Sequence, residues 1–189
     1  MTWIEITASG FGLACVGLTV RRHIACWPTG LVMVTLYIVI FCQAKLYSDM
    51  LLQIVYVALQ LYGWYAWLHG GPDRTPLAVS RVPTRQIAPW LVLCGAAATL
   101  LGGTMHRYTD AAFPYLDAVT TVASLIAQWL MGRKVLESWL VWIFVDVISI
   151  GLYVAKELYL TAGLYFVFLL MATWGWVEWK AAWKRLATA

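Results

Sequence analysis

Seven stretches of this chain stay apolar for nearly the length a helix needs to cross a bilayer. They are roughly Ile4–Val20, Trp27–Gln43, Met50–His69, Ile87–Met105, Leu116–Met131, Ser138–Ala155 and Tyr159–Lys180, against the ~20 residues that span ~30 Å of hydrocarbon. Lipid offers no hydrogen bonds, so backbone in such runs must satisfy itself as helix. The runs use most of the 189 residues and leave no room for a soluble domain. Composition agrees, with 62% hydrophobic and 12% charged side chains where soluble domains carry about 25% charged ones. The expectation is an all-α integral membrane protein with seven transmembrane helices. The first run should be retained and not cleaved as a signal peptide, because Glu5 leads it and Arg21-Arg22-His23 follow it.

Displacing the chain by 112 residues (139 less 27) aligns its two ends without a gap. Trp27 falls on Trp139, Leu46-Tyr47 on Leu158-Tyr159, Gly63-Trp64 on Gly175-Trp176 and Trp67 on Trp179. Glu5 meets Asp117, and Arg21-Arg22 meets Arg133-Lys134. Trp, Gly and charge at the ends of apolar runs are the features that set helix boundaries and close packing. Three runs belong to each copy, and the fourth adds one crossing that returns the chain to its starting side. The copies then run in the same direction, related by an axis along the membrane normal, which is one build of transporters. The expected organisation is a 3+1+3 arrangement. Residues 1–69 form a first three-helix repeat, residues 70–105 a polar cytoplasmic linker with a bridging helix, and residues 106–189 a second repeat with a short basic tail. The linker, Gly70 to Gln86, is marked by Gly-Gly-Pro-Asp, Pro76 and Pro83.

With seven crossings, Arg21, Arg22, Arg74, Arg81, Arg85, Arg133, Lys134, Lys180, Lys184 and Arg185 share one side, leaving Lys45, Arg107 and Lys156 on the other. The basic side is expected in the cytoplasm, with the amino terminus outside and the carboxyl terminus inside. Net charge of +4 is this same bias, so no nucleic-acid partner is expected. Cys15, Cys26, Cys42 and Cys94 are scattered through apolar runs and read as small packed hydrophobes. His23, His69 and His106 stand at separate membrane edges and make no metal or catalytic cluster. No Walker-type phosphate loop is present, so no ATP hydrolysis and no cofactor are expected.

Asp146 is the acid that stands out, because Val141-Trp142-Ile143-Phe144-Val145 precede it and Val147-Ile148 follow. An acid at mid-bilayer costs roughly 2.5–3.5 kcal/mol on insertion scales. No Lys or Arg lies at a comparable depth. Two readings stay open: a protonated Asp bonded to a neighbouring Ser, Thr or Tyr, or a carboxylate that meets a cationic ligand. Trp139, Trp142 and Tyr153 share its helical face, which suits a flat cationic molecule through stacking and charge attraction. The position matching Asp146 in the first copy is Val34, and Gly30 stands where the second has Trp142. Gln53 and Gln60 lie one heptad apart on a face continued by Trp64 and Trp67, with Gln128 in the fifth run and Tyr165 in the seventh as further polar candidates. A glutamine in hydrocarbon serves helix contacts or a polar solute. Trp3, Trp67, Trp90, Trp179 and Trp183, near run ends, read as interface anchors.

Leu46-Tyr47, Leu51-Leu52-Gln53 and Tyr62-Gly63-Trp64-Tyr65-Ala66-Trp67 resemble the signature of the PnuC family of bacterial vitamin transporters. Glu137-Ser138-Trp139-Leu140-Val141-Trp142 with Val147-Ile148-Ser149 resembles it too. By that resemblance the fold looks like a full-length relative of the SWEET sugar transporters. The activity would be facilitated diffusion of an unphosphorylated vitamin, most often nicotinamide riboside, which a cytosolic kinase then traps by phosphorylation. The resemblance also implies a homo-oligomer, with a trimer as the form it suggests. Asp146 replaces the Asn of nicotinamide riboside members, and thiamine, also a cationic aromatic ring, fits a full charge. The sequence reading is therefore uniport of a cationic vitamin at the bacterial inner membrane, with Asp146, Trp139, Trp142, Gln53, Gln60, Trp64, Gln128, Tyr153 and Tyr165 as substrate contacts. The alternative from another class is a small-molecule receptor or structural membrane subunit that binds without transporting. An integral membrane enzyme is the weaker rival, because one deep acid without a partner acid, nucleophile or metal set is a poor active site.

Overall fold

The structure, a computed structural model of the chain, describes residues 3–45, 47–109 and 112–187, with only the backbone of Tyr47, Ser48 and Ala187. Leu46, part of the repeated Leu-Tyr pair, and Asp110 lie outside the described residues. Among the described residues the apolar runs fold as seven helices: α1 Trp3–Val20, α2 Cys26–Gln43, α3 Tyr47–His69, α4 Thr84–Tyr108, α5 Pro114–Gly132, α6 Ser138–Ala155 and α7 Tyr159–Ala187. Six of them, all but α5, are long and apolar enough to cross a membrane. α5 has the length, at 19 residues, but carries Asp117, Thr120, Thr121, Ser124 and Gln128. Ser124 and Gln128 are buried against other helices, so packing inside the bundle accounts for part of its polarity.

α1 meets α2 and α2 meets α3, while α5 meets α6 and α6 meets α7. α1 also touches α7, and α3 touches α5, so six helices close a ring. α4 stands outside that ring and, among the described residues, packs on α5 alone, through Gly102 against Tyr115 and Trp90 beside Trp129, ring centroids 5.1 Å apart.

Many contacts recur at the 112-residue spacing of the sequence. A Cβ on Gly63 would collide with the Trp27 ring, and one on Gly175 would collide with the Trp139 ring. Trp27 meets Trp67 edge-on at 5.3 Å, and Trp139 meets Trp179 edge-on at 5.5 Å. The Trp67 indole N–H donates to the carbonyl of Met131 at 3.0 Å, and the Trp179 N–H donates to that of Thr19 at 3.1 Å. Since Met131 is Thr19 displaced by 112, these two bonds cross between the halves of the chain. Left-handed corners also recur, with φ of 56° at Arg22 and 54° at Lys134, and 58° at both Lys45 and Glu157. Those corners end helices whose last carbonyls they help to satisfy.

Trp67 and Trp179, expected as interface anchors, are only 3% and 0% exposed. They join Val20, Trp27, Leu136 and Trp139 in the main buried cluster, because their rings fill the join between the halves and their N–H groups find carbonyls there. Trp3 is 86% exposed. The four cysteines are free thiols.

The segment after α3 is more tightly held than a polar linker. It makes a short 3-10 turn, Pro72–Arg74, and then lies along the α5–α6 corner as a strap. Leu77 N–H donates to the Trp67 carbonyl, Ser80 N–H to that of Lys134, and Leu136 N–H returns to Ser80, forming one parallel bridge between Ser80 and Val135. Val79 is buried in the core cluster, and Arg81 pairs with Glu137 at 2.8 Å.

Candidate functional site

Above the aromatic core the buried side chains turn polar. On α6 the inward face carries Asp146 and Ser149, on α5 Ser124 and Gln128, and on α3 Gln60. These elements adjoin one another, α3 on α5 and α5 on α6. Asp146 lies eight residues beyond the start of α6 at Ser138, about 12 Å along an axis rising 1.5 Å per residue. It is therefore near the middle of its helix, and it is 3% exposed. Among the described residues no side chain hydrogen-bonds or pairs with its carboxyl group. Tyr165 lies within electrostatic reach of Asp146, and also of Tyr153 and Tyr56.

Tyr56 donates its hydroxyl hydrogen to Ser124 Oγ at 2.5 Å, tying α3 to α5 at this depth. Ser124 in turn donates to the Thr121 carbonyl. The amide of Gln60 is packed over Gly30, where any Cβ would collide with it, so the missing side chain on α2 makes room for the glutamine on α3. Tyr153 and Tyr165 pack ring to ring at 5.1 Å between α6 and α7, and Phe168 meets Tyr165 edge-on at 6.0 Å.

Asp146, Gln60 and Gln128 are buried polar groups on α6, α3 and α5, and Tyr165 of the Tyr153–Tyr165 pair lies within electrostatic reach of Asp146 and Tyr56. Gln53 is half-buried one turn from Tyr56. Trp64 and Trp142 are half-buried and packed against the aromatic core. Trp139 is not in this seam: it is fully inside the core, pressed on Gly175 and Trp179. Sequence reasoning passed over Tyr56, Ser124 and Ser149. Helical spacing carried the signal, since Tyr56 falls between Gln53 and Gln60 on one face and Ser124 sits one turn before Gln128.

A carboxylate in a low-dielectric interior attracts a cation far more strongly than in water. The amides supply donors and acceptors for a carboxamide or sugar hydroxyls, and the tyrosines supply ring faces. No group of three or more His, Cys, Asp or Glu able to hold a metal ion occurs among the described residues. Among the described residues, two of the cavities lie elsewhere and are not lined by Asp146. One is a groove of about 290 Å³ on α1 at Thr7, Gly10, Phe11 and Ala14. The other, about 490 Å³, lies at the basic end of the bundle.

The sequence model of the nicotinamide mononucleotide transporter family matches residues 2–181. The nicotinamide riboside transporter PnuC of Escherichia coli (strain K12) is 30% identical over 184 residues, covering 84% of this chain and 77% of that one. PnuC of Neisseria mucosa is 29% identical over 200 residues, covering 97% and 74%. The riboflavin/roseoflavin transporter RibM of Streptomyces davaonensis is 26% identical over 188 residues, covering 94% and 84%. A crystal structure of the vitamin B3 transporter PnuC superposes with a TM-score of 0.77 at 27% identity, covering 97% of this chain and 83% of that one. With almost its whole length matched and its helical architecture shared, this multi-pass membrane protein belongs to the nicotinamide mononucleotide transporter family, a family of transporters and not of enzymes.

Proposed function

We propose that this chain is a uniporter for a vitamin with a cationic aromatic ring, nicotinamide riboside first and thiamine close behind, in a bacterial inner membrane. The observation that carries the reading is Asp146, buried at mid-helix with no cation paired to it among the described residues, where the matching position of the first half is Val34. Such a charge is costly unless a ligand or a proton neutralises it. Relatives named as nicotinamide riboside transporters support the first solute, and the riboflavin transporter among them argues that the scaffold accepts other flat rings. The solute would sit among Asp146, Gln60, Gln128, Tyr153 and Tyr165, with Gln53, Trp64 and Trp142 at its margins. Trp139 would act from the core as the hinge-side packing of α6.

The architecture proposed is two parallel three-helix repeats, residues 1–69 and 106–189, joined through the strap and bridging helix of residues 70–105. The recurring Trp–Gly contacts, the exchanged indole bonds and the paired left-handed corners support it. α5, ringed by α3, α4 and α6, is the seventh span of that architecture. Rocking of one repeat against the other would open the seam to each side in turn. The basic end faces the cytoplasm, the amino terminus lies outside, the chain forms a homo-oligomer, a trimer by family resemblance, and a cytosolic kinase traps the solute.

Counterflow in proteoliposomes with labelled nicotinamide riboside, thiamine and riboflavin tests this. Saturable exchange of a cationic solute, indifferent to ATP and to ion gradients, is the expected result. Binding without counterflow would make the protein a receptor, and exchange that requires an ion gradient would end the uniport reading.

A further inference from the structure

At the basic end, the cavity of about 490 Å³ is walled by four cations from three elements: Arg21 and Arg22 at the α1–α2 corner, Lys134 at the α5–α6 corner, and Arg185 near the end of α7. Leu77 and Val79 of the strap give it an apolar side, and no Asp or Glu lines it. The adjacent acid, Glu137, is engaged by Arg81 and by the Val82 N–H. The Lys134 ammonium sits 4.4 Å from the Trp67 ring centroid. Burial first, and then the charge of Arg22, push its pKa below the ordinary lysine value. A membrane topology signal needs basic residues on one side but does not need them to converge on a cavity. Other basic residues of that side do not line the cavity, among them Arg133 over Trp129 and Lys180 over Trp176.

We propose that this cavity binds a phosphate group, held by the guanidinium of Arg22 and the ammonium of Lys134 with Arg21 and Arg185 around it. Guanidinium forks match phosphate oxygens in pairs and lysine adds a point charge. The volume falls in the range of small-molecule sites, roughly 300–1,000 Å³, so it accommodates more than the phosphate alone. The phosphate belongs either to a phospholipid headgroup or to a water-soluble phosphomonoester. Arg22 and Lys134 are matching residues of the two halves, with the same left-handed backbone, so an anion between them ties the halves together at this end. If transport moves one half against the other, as proposed above, such an anion favours whichever arrangement holds it better.

The test uses the full chain in a neutral detergent, with melting temperature followed at constant ionic strength. Adenosine monophosphate is compared with adenosine, and short-chain phosphatidylglycerol with phosphatidylcholine. Saturable stabilisation by the monophosphate and not the nucleoside assigns the soluble source, and stabilisation by phosphatidylglycerol alone assigns the lipid. In either case Arg22→Gln and Lys134→Gln each weaken binding at least tenfold, Lys134→Arg retains it, and Arg85→Gln, outside the cavity, leaves it unchanged. A response no larger than chloride gives overturns the proposal. So does an equal loss in Arg85→Gln, or a loss in Lys134→Arg as large as in Lys134→Gln, since either would make the effect nonspecific or structural.

Discussion

Near the basic end Trp27 presses on Gly63 in the first half of the chain, and Trp139 presses on Gly175 in the second. One turn further along α2 and α6 the halves part. The first has Gly30 beneath the amide of Gln60, while the matching residues of the second are Trp142 and Ala172. A small residue and a large one occur in both pairs, with their sizes exchanged between helices. Another turn on, Val34 in the first half corresponds to Asp146 in the second, and both are buried. Shape is preserved by exchange and chemistry is not preserved at all. The symmetric part is the dry join that holds the helices, and the asymmetric part is where the proposed site would meet a solute without internal symmetry.

The largest effect is expected where the halves agree. Gly63→Ala and Gly175→Ala each drive a methyl into an indole ring that has no room to retreat. Overpacking of a tight core costs about 1–3 kcal/mol and sometimes more, and the rigidity of both rings puts these at the upper end. Folded yield and melting temperature should fall together and by similar amounts in both variants. Gly10→Ala and Gly163→Ala, with nothing within 4 Å of the added Cβ, should be silent. A large difference between the two core variants would break the equivalence of the halves.

The next effect sharpens the difference at mid-depth. Asp146→Asn should weaken affinity for a cationic vitamin at least tenfold, which is about 1.4 kcal/mol, with melting temperature unchanged or raised because a buried charge is gone. Affinity that stays the same for nicotinamide riboside and thiamine alike would leave Asp146 as a packing residue. Val34→Asp, at the matching place, has no reason to create binding and should only destabilise.

A smaller contrast lies inside the aromatic core. Trp67 and Trp179 use their indole N–H groups on carbonyls of the opposite half. The N–H groups of Trp27 and Trp139 are buried without a partner among the described residues. Replacement by Phe removes a made bond in the first pair, worth about 0.5–1.5 kcal/mol, and an unsatisfied donor in the second. Thermal unfolding should therefore rank Trp67→Phe and Trp179→Phe below Trp27→Phe and Trp139→Phe. Equal losses in all four would mean that ring volume alone decides.

Helix positions were legible because lipid leaves backbone no alternative, and run ends such as Gln43, His69 and Ala155 fall where the helices stop. Trp27, Gly63 and their partners stand out in the sequence at the 112-residue spacing, and the same pairs meet in contacts. Asp146 announced itself by polarity against apolar neighbours. Trp67 and Trp179 did not, because a tryptophan near a run end has the same local sequence whether it faces headgroups or a second helix. Only the partner carbonyls, at Met131 and Thr19, distinguish the cases, and they lie 64 and 160 residues away. The contacts of the strap are not legible for the same reason: Val79 and Ser80 are local punctuation until the α5–α6 corner is brought beside them.

Glu137, which holds that strap, has Ala25 at the matching place in the first half, and the strap yields the smallest predicted effect. Glu137 accepts from Arg81 Nε at 2.8 Å with one oxygen and from the Val82 N–H at 3.0 Å with the other. The Arg81 side chain is 50% exposed and that of Glu137 17%, and Arg81 also lies over the Trp183 ring. An ion pair this open to water contributes about 0.2–1 kcal/mol, so Arg81→Gln should lower the melting temperature slightly and lose its effect in high salt. Glu137→Ala should cost more, because the half-buried Val82 N–H then loses its acceptor, and that extra part should persist at high salt. A Glu137→Ala effect that vanishes entirely with salt would mean the strap is held by charge alone, and its backbone bonds to Lys134 and Leu136 would then contribute nothing that this end of the bundle needs.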